Sequence, residues 1–180
     1  MVREEVVQTL GEAEIFQALT YEELSDIAAL CIPTSFEMNQ SIFRQGSRGE
    51  SLYVITSGRV ALTREIREEG VPDNLQLAIN FLGSGRVLGW TSLVGSRIRP
   101  LSAMSLASTA CLQLSARRLR AYMDLNTSTG YHIMTGLAHL IVSGLLNSYK
   151  ALDKQAGYQK SLRREDAKPG LTSIGRLLPP

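Results

Sequence analysis

The sequence holds two cysteines and two histidines, Cys31, Cys111, His132 and His139, the residue types that most often serve as nucleophile, proton carrier or zinc ligand. The thiols sit in apolar company, Ala28-Ala29-Leu30-Cys31-Ile32 and Ala110-Cys111-Leu112, which suits buried structural thiols better than reactive ones. Two cysteines so far apart make neither a disulfide framework nor a zinc site. The histidines stand seven residues apart, on one face if that stretch is helical. Such a pair can sense pH, but without a thiol or carboxylate neighbour it is a weak metal signal and reads as plain helix-face residues. No Gly-x-Ser-x-Gly, no phosphate-cradling Walker loop and no Cys/His arrangement with a supporting acid occurs. The expectation is a protein that is not an enzyme and has no metal site.

Composition narrows the classes further. A chain of 180 residues fits one domain, which at about 150 residues buries roughly 70% of its unfolded surface. Charged residues make up 20%, with 19 Lys+Arg against 17 Asp+Glu and a net charge of +2; this describes an ordinary soluble protein. A dedicated nucleic-acid binder would gather a basic surplus on one face, so no direct nucleic acid binding is expected. No apolar run approaches the ~18 residues of a membrane span. The opening Met1-Val2-Arg3-Glu4-Glu5 is unlike a signal peptide. The expected location is the cytoplasm, with no membrane association.

The elements that must position any site fall into zones. Residues 1–33 read as a helical segment. Thr20 followed by Glu23 spells a capping box, Leu24, Ile27, Ala28 and Cys31 recur at helical spacing, and Pro33 ends the run. Upstream, Val6 to Leu19 suggest a short helix broken around Gly11. Residues 34–114 differ in kind, being short β-branched or alternating runs separated by Gly-containing turns. Strands are expected at 42–44, 52–56, 60–63, 75–81, 101–107 and 110–114, with a solvated hairpin tip over 64–74. Residues 115–155 return to helix: Ser115 caps 116–123, and a long helix runs over 127–155. Along it Met134, Leu137, Ile141, Leu145, Tyr149 and Leu152 form an apolar stripe. Ile133, Leu140, Val142 and Leu146 make the opposite face apolar too, with Gly136 and Gly144 between. A helix apolar all round needs cover on two sides. A homodimer through this helix is one supply, and the N-terminal helices of the same chain are the other. Residues 156–180, rich in charge, Pro and Gly, read as a loosely held tail. The fold class is α+β: an antiparallel β-roll of double-stranded jelly-roll type with N-terminal helices and a long C-terminal helix.

Three stretches carry a resemblance: IFRQGSRGESLYVITSGRVAL (Ile42 to Leu62), INFLGSGRVLGWTSLVG (Ile79 to Gly95) and LSAMSLASTACLQLS (Leu101 to Ser115). They resemble the cyclic nucleotide-binding domain family, which includes the bacterial catabolite activator type of regulator, the regulatory subunits of cyclic-AMP-dependent kinase, and certain ion channels. The resemblance covers about Leu10 to Leu152. Taken singly, Gly46, Gly49, Gly58, Gly83 and Gly85 are turn or close-approach residues and imply no ligand.

The resemblance implies a ligand cassette, here within 83–103. In the family a small helix presents its N-terminus to the ligand phosphate, an Arg neutralises the phosphate, and a Glu after the cassette Gly holds the ribose 2′-hydroxyl. Helix N–H groups with a guanidinium suit an anion, and a carboxylate suits hydroxyl donors. The implied ligand-binding positions are Gly89, Trp90, Thr91, Ser92, Leu93, Arg99, Ser102 and Ala103. Two depart from the family pattern. Trp90 stands in place of the Glu and offers one donor and no acceptor. Counting from Gly89 puts Arg99 at the arginine position, whereas counting back from Ser102-Ala103 puts Leu101 there; Arg97 lies nearby. Trp90 has two readings, a lid filling the sugar site or a stacking surface for another planar ligand. Only the short 156–180 follows the long helix, so the winged helix-turn-helix of the family's transcription factors is not expected.

The resulting expectation is a non-catalytic, cytoplasmic, bacterial regulatory or sensor module that signals or dimerises through its C-terminal helix. Its effector is a cyclic nucleotide or another small anionic metabolite, not cyclic AMP held by the usual contacts. The alternatives are a genuine cyclic nucleotide receptor using Arg99 and a ligandless scaffold for a protein partner.

Overall fold

Thr20 and Glu23 form the capping box that their spacing predicts. The Thr20 hydroxyl accepts from the Glu23 N–H at 3.3 Å, and the Glu23 carboxylate accepts from the Thr20 N–H at 2.8 Å. That box starts helix α2 (Tyr21–Ala28), which follows α1 (Arg3–Glu12). These elements belong to a computed structural model that describes residues 3–66 and 75–166. The chain divides into two compact units, residues 1–140 and 141–180.

Eight strands follow: β1 (Cys31–Phe36), β2 (Ser41–Phe43), β3 (Ser51–Ser57), β4 (Val60–Glu65), β5 (Gln76–Leu82), β6 (Val87–Leu88), β7 (Ser102–Ser105) and β8 (Thr109–Ser115). They form two antiparallel sheets, ordered β1-β8-β3-β6 and β2-β7-β4-β5. The first sheet is covered on both faces, which explains why Leu52 to Ile55 reads as an unbroken apolar run. Leu52, Val54, Val87, Leu112 and Leu114 pack against the helices with Leu10, Phe16, Ile27, Leu119, Ile133 and Leu137. Their alternate neighbours Ile55, Leu88 and Cys111 face the roll interior with Phe36, Val60, Leu82 and Ala103. The α+β roll with a long C-terminal helix is the architecture found.

Several boundaries differ from the sequence expectation. Gly11 does not break α1, which runs through it to Glu12. The strand zone begins at Cys31, not at 34. Pro33 therefore lies inside β1, an edge strand where a missing N–H is tolerated. The two-residue β6 was too short to show as a period. At the other end, Ser115 caps α3 (Ala116–Leu125) by accepting from the Arg118 N–H. Helix α4 (Thr127–Asp166) then continues past 155, so 156–166 is helix and not tail. Of the tip expected over 64–74, Arg64 and Glu65 belong instead to β4, and 67–74 lies outside the described residues, as does the tail over 167–180.

The largest correction concerns α4. Leu137, assigned to a dimer stripe, is 1% exposed and packs in the helix-side core with Ile133. The reason lies at Gly136, where a Cβ would stand 2.8 Å from the Ile15 Cα and carbonyl oxygen. The close approach this glycine permits is to the chain's own 15–16 turn. Glu23 ties the same region together, since its carboxylate also accepts from the Thr129 hydroxyl at 2.6 Å. That bond, with the one from the Thr20 backbone, holds the Glu23 carboxyl below its ordinary pKa. Gly144, by contrast, has open space around it. Gly136→Ala should therefore cost about 1–3 kcal/mol from overpacking, whereas Gly144→Ala should be neutral or gain up to about 1 kcal/mol of helix propensity. Urea denaturation of the two variants checks this, and equal effects would contradict it.

Candidate functional site

Strand β6 delivers the chain to Gly89, whose left-handed backbone (φ 77°) opens a 3₁₀ turn, Trp90–Ser92. The chain returns to the sheet at β7 through an irregular segment containing Arg97 and Arg99. Backbone bonds fix that return: the Gly46 N–H donates to the Arg99 carbonyl and the Arg99 N–H to the Ser47 carbonyl, each at 2.9 Å. Thus the turn after β2, which the sequence marks with Gln45-Gly46-Ser47, anchors Arg99 from behind.

The Arg99 side chain points inward and is 3% exposed. Its Nη1 donates to the Gly89 carbonyl and its Nη2 to the Ser51 carbonyl, both at 2.5 Å. The guanidinium lies over the Phe43 ring, 4.2 Å from its centroid, a favourable cation–π placement. Its Nε is buried without a partner, and so are the hydroxyls of Thr91 and Ser92. Among the described residues no carboxylate pairs with it. Burial lowers the Arg99 pKa from its ordinary value, offset in part by the Tyr53 oxygen. Among the described residues the buried guanidinium thus faces no opposing charge, and Thr91 lines the same cleft.

Two glycines make this placement possible. A Cβ at Gly89 would lie 2.5 Å from Arg99 Nη1, and one at Gly49 would lie 2.7 Å from Arg99 Cζ. Gly89 additionally needs its positive φ; Gly49 is there for space alone. Arg99, Gly89, Trp90 and Thr91 line one cleft with Phe43 and Leu101. Its free volume is about 70 Å³, well below the ~300–1,000 Å³ of small-molecule pockets. Trp90 is half-buried, lining the cleft while packing against the helix-side core.

The eight cassette positions do not all converge. Ser92 and Leu93 are buried behind the turn, Leu93 in the helix-side core. The Ser102 hydroxyl accepts from the Gln45 N–H at 2.9 Å, and Ala103 packs in the roll interior. Of the two guanidiniums, Arg99 is the one turned into the cleft, where Leu101 also lies, while Arg97 is exposed and left-handed (φ 62°). Sequence reasoning missed Phe43 and the Ser51 carbonyl. Only Gly49, in a strand-turn-strand run, hinted that something bulky comes close there.

The remaining reactive groups stand apart. Cys111 is buried in the roll and Cys31 is half-buried, its thiol donating to the Ile27 carbonyl. Burial pushes both thiols up to about 12, the setting of inert structural cysteines. His132 is half-buried against Tyr131, and His139 is exposed. Among the described residues no three His, Cys, Asp or Glu gather as metal ligands, and no helix is long and apolar enough to cross a membrane.

With this geometry in place, comparison with known proteins is informative. A profile of the family described as "Cyclic nucleotide-binding domain" matches residues 33–126. The chain is 29% identical over 103 residues to the cGMP-dependent protein kinase egl-4 of Caenorhabditis briggsae, covering 57% of this chain and 13% of that protein. It is 23% identical over 116 residues to a CRP-like cAMP-activated global transcriptional regulator of Mycobacterium tuberculosis, covering 64% and 50%. The chain therefore spans half or less of the curated relatives it matches. Its fold resembles the crystal structure of a cyclic nucleotide-binding domain from Methylobacillus flagellatus, with a TM-score of 0.72 at 19% identity, over 85% of this chain and 83% of that one.

If the glycine gap exists for the guanidinium, the two must be energetically coupled. Gly49→Ala should cost about 1–3 kcal/mol in the natural protein and distinctly less in an Arg99→Ala background. A double-mutant cycle by urea unfolding measures this; additive effects would mean that Gly49 serves another purpose.

Proposed function

The chain belongs to the cyclic nucleotide-binding domain family, and we propose that it is a non-catalytic regulatory module whose cassette takes a small anion on Arg99. The observation that carries this reading is the buried guanidinium with its unpartnered Nε, in a cleft also lined by Thr91, whose hydroxyl is unpartnered too. A buried cation is costly without a counter-charge, and an anion in the cleft would supply it. Trp90 argues against cyclic AMP held by the usual contacts. It brings no acceptor for a ribose hydroxyl, and the cleft it helps to line is small.

Arg120 supports a route from cassette to helix. From α3, its Nη1 donates to the Ser92 carbonyl at 2.5 Å, so a shift of the 3₁₀ turn pulls directly on α3. In the proposed mechanism this displacement passes to α4. A homodimer forms the output surface through Ile141, Leu145, Tyr149 and Leu152, all 38–60% exposed and spaced at helical intervals.

A second reading, a cyclic nucleotide receptor using Arg99 for the phosphate, draws support from the burial of that guanidinium in the cassette cleft. Thermal unfolding separates the two. An anion at 100 times its dissociation constant adds about 2.7 kcal/mol, roughly 5–10 °C for a domain of this size. We expect such a shift with inorganic phosphate or a small phosphate ester, little with cyclic AMP or cyclic GMP, and none in Arg99→Lys. Trp90→Glu should increase the response to cyclic AMP. A cyclic nucleotide shift in the natural protein as large as that with phosphate would overturn the small-anion reading.

A further inference from the structure

A second concave region lies outside the cassette, and four of its seven lining residues are arginines. Arg48, Arg97, Arg117 and Arg120 surround it with Glu50 and Ser115, enclosing about 380 Å³. The four guanidiniums come from three segments held together by backbone bonds. Arg48 bridges Ile98 in antiparallel fashion, the Gly49 N–H donates to the Arg97 carbonyl at 2.7 Å, and the Ala116 N–H donates to the Glu50 carbonyl at 2.8 Å. In a chain whose net charge is +2, this one cleft gathers four positive groups against one carboxylate.

Among the described residues, Glu50 is the one carboxylate in the lining. Among the described residues, none of the four arginines forms an ion pair, and only Arg120 has a side-chain hydrogen bond, to the Ser92 carbonyl. Arg120 is half-buried. Burial lowers its pKa from the ordinary arginine value, and the nearby Arg97 charge adds to that, with Asp124 opposing. Arg97 also holds a left-handed backbone, a cost non-glycine residues bear mainly where the surroundings impose it. Like charges are thus kept together in a recess where a strongly charged ligand would relieve their repulsion.

We propose that this cleft is a binding site for a small molecule carrying two or more phosphate groups. Guanidinium forks match phosphate oxygens in bidentate fashion, four of them around one recess exceed what a single charge requires, and the volume falls in the ~300–1,000 Å³ range of small-molecule sites. An extended nucleic acid would call for an open basic face instead. The site is separate from the cassette anion and does not depend on it, although Arg120 touches both through Ser92.

The test is calorimetric titration of the whole chain with inorganic pyrophosphate, with orthophosphate and a short duplex oligonucleotide as comparisons. Arg48→Ala and Arg117→Ala remove exposed side chains without hydrogen bonds, so they spare the fold; circular dichroism verifies this. The expected result is one pyrophosphate per chain, bound more tightly than orthophosphate at this site and weakened as salt rises. Affinity should fall about tenfold in each variant and stay within about twofold in Arg99→Lys. Absence of pyrophosphate binding, or affinity unchanged in both alanine variants, would overturn the proposal. So would binding lost in Arg99→Lys alone, or binding of the oligonucleotide without pyrophosphate.

Discussion

The guanidinium of Arg99 sets the terms for the surrounding structure. To bury it, the chain needs two carbonyl acceptors at the right depth, from Gly89 and Ser51, an aromatic face in Phe43, and two positions without a Cβ, Gly49 and Gly89. Arg99 and these four residues come from four places in the sequence, and the antiparallel roll is what brings them to one point. Half of the usual bookkeeping for a buried charge is met this way. The other half, an opposing charge, is not supplied by any described residue, and the proposed anion would supply it.

Trp90 and Arg120 carry the proposed departure from a cyclic nucleotide site. Trp90 stands at the resemblance-implied ribose position and offers only apolar surface and one donor. The remaining polarity of the cassette is concentrated at the guanidinium and the Thr91 and Ser92 hydroxyls. Arg120 then ties the back of the turn to α3. The same arginine borders the four-arginine cleft, so both proposed anion sites bear on a single backbone carbonyl, that of Ser92.

Much of this was legible in the sequence because it rests on local chemistry. The Thr20–Glu23 box, the Ser115 cap and the alternating strands depend on residues a few positions apart. The strands of the roll emerge near their expected limits, apart from β1 and β6. Pro33 disguised the first, because a proline reads as a breaker unless the strand is known to be an edge. The second has only two residues. The choice between Arg97 and Arg99 could not be made locally, since it is decided by the distant Gly46 and Ser47 backbone. Leu137 was misassigned for a related reason: an amphipathic stripe shows that a face is covered, not by what. Ile15 beside Gly136 supplies the cover within one chain. The helix past 155 escaped notice because its charge-rich sequence carries no apolar period.

The most direct measurement is the side-chain ¹⁵N–¹H resonance of Arg99 Nε, identified by its loss in Arg99→Lys and followed during titration with inorganic phosphate. An Nε–H that is buried and unpartnered in the free protein should give a resolved signal that moves downfield and saturates as a hydrogen bond to the anion forms. A signal that stays fixed at saturating phosphate would mean that Arg99 is a structural cation already satisfied by its two carbonyls, and that the cassette holds no anion.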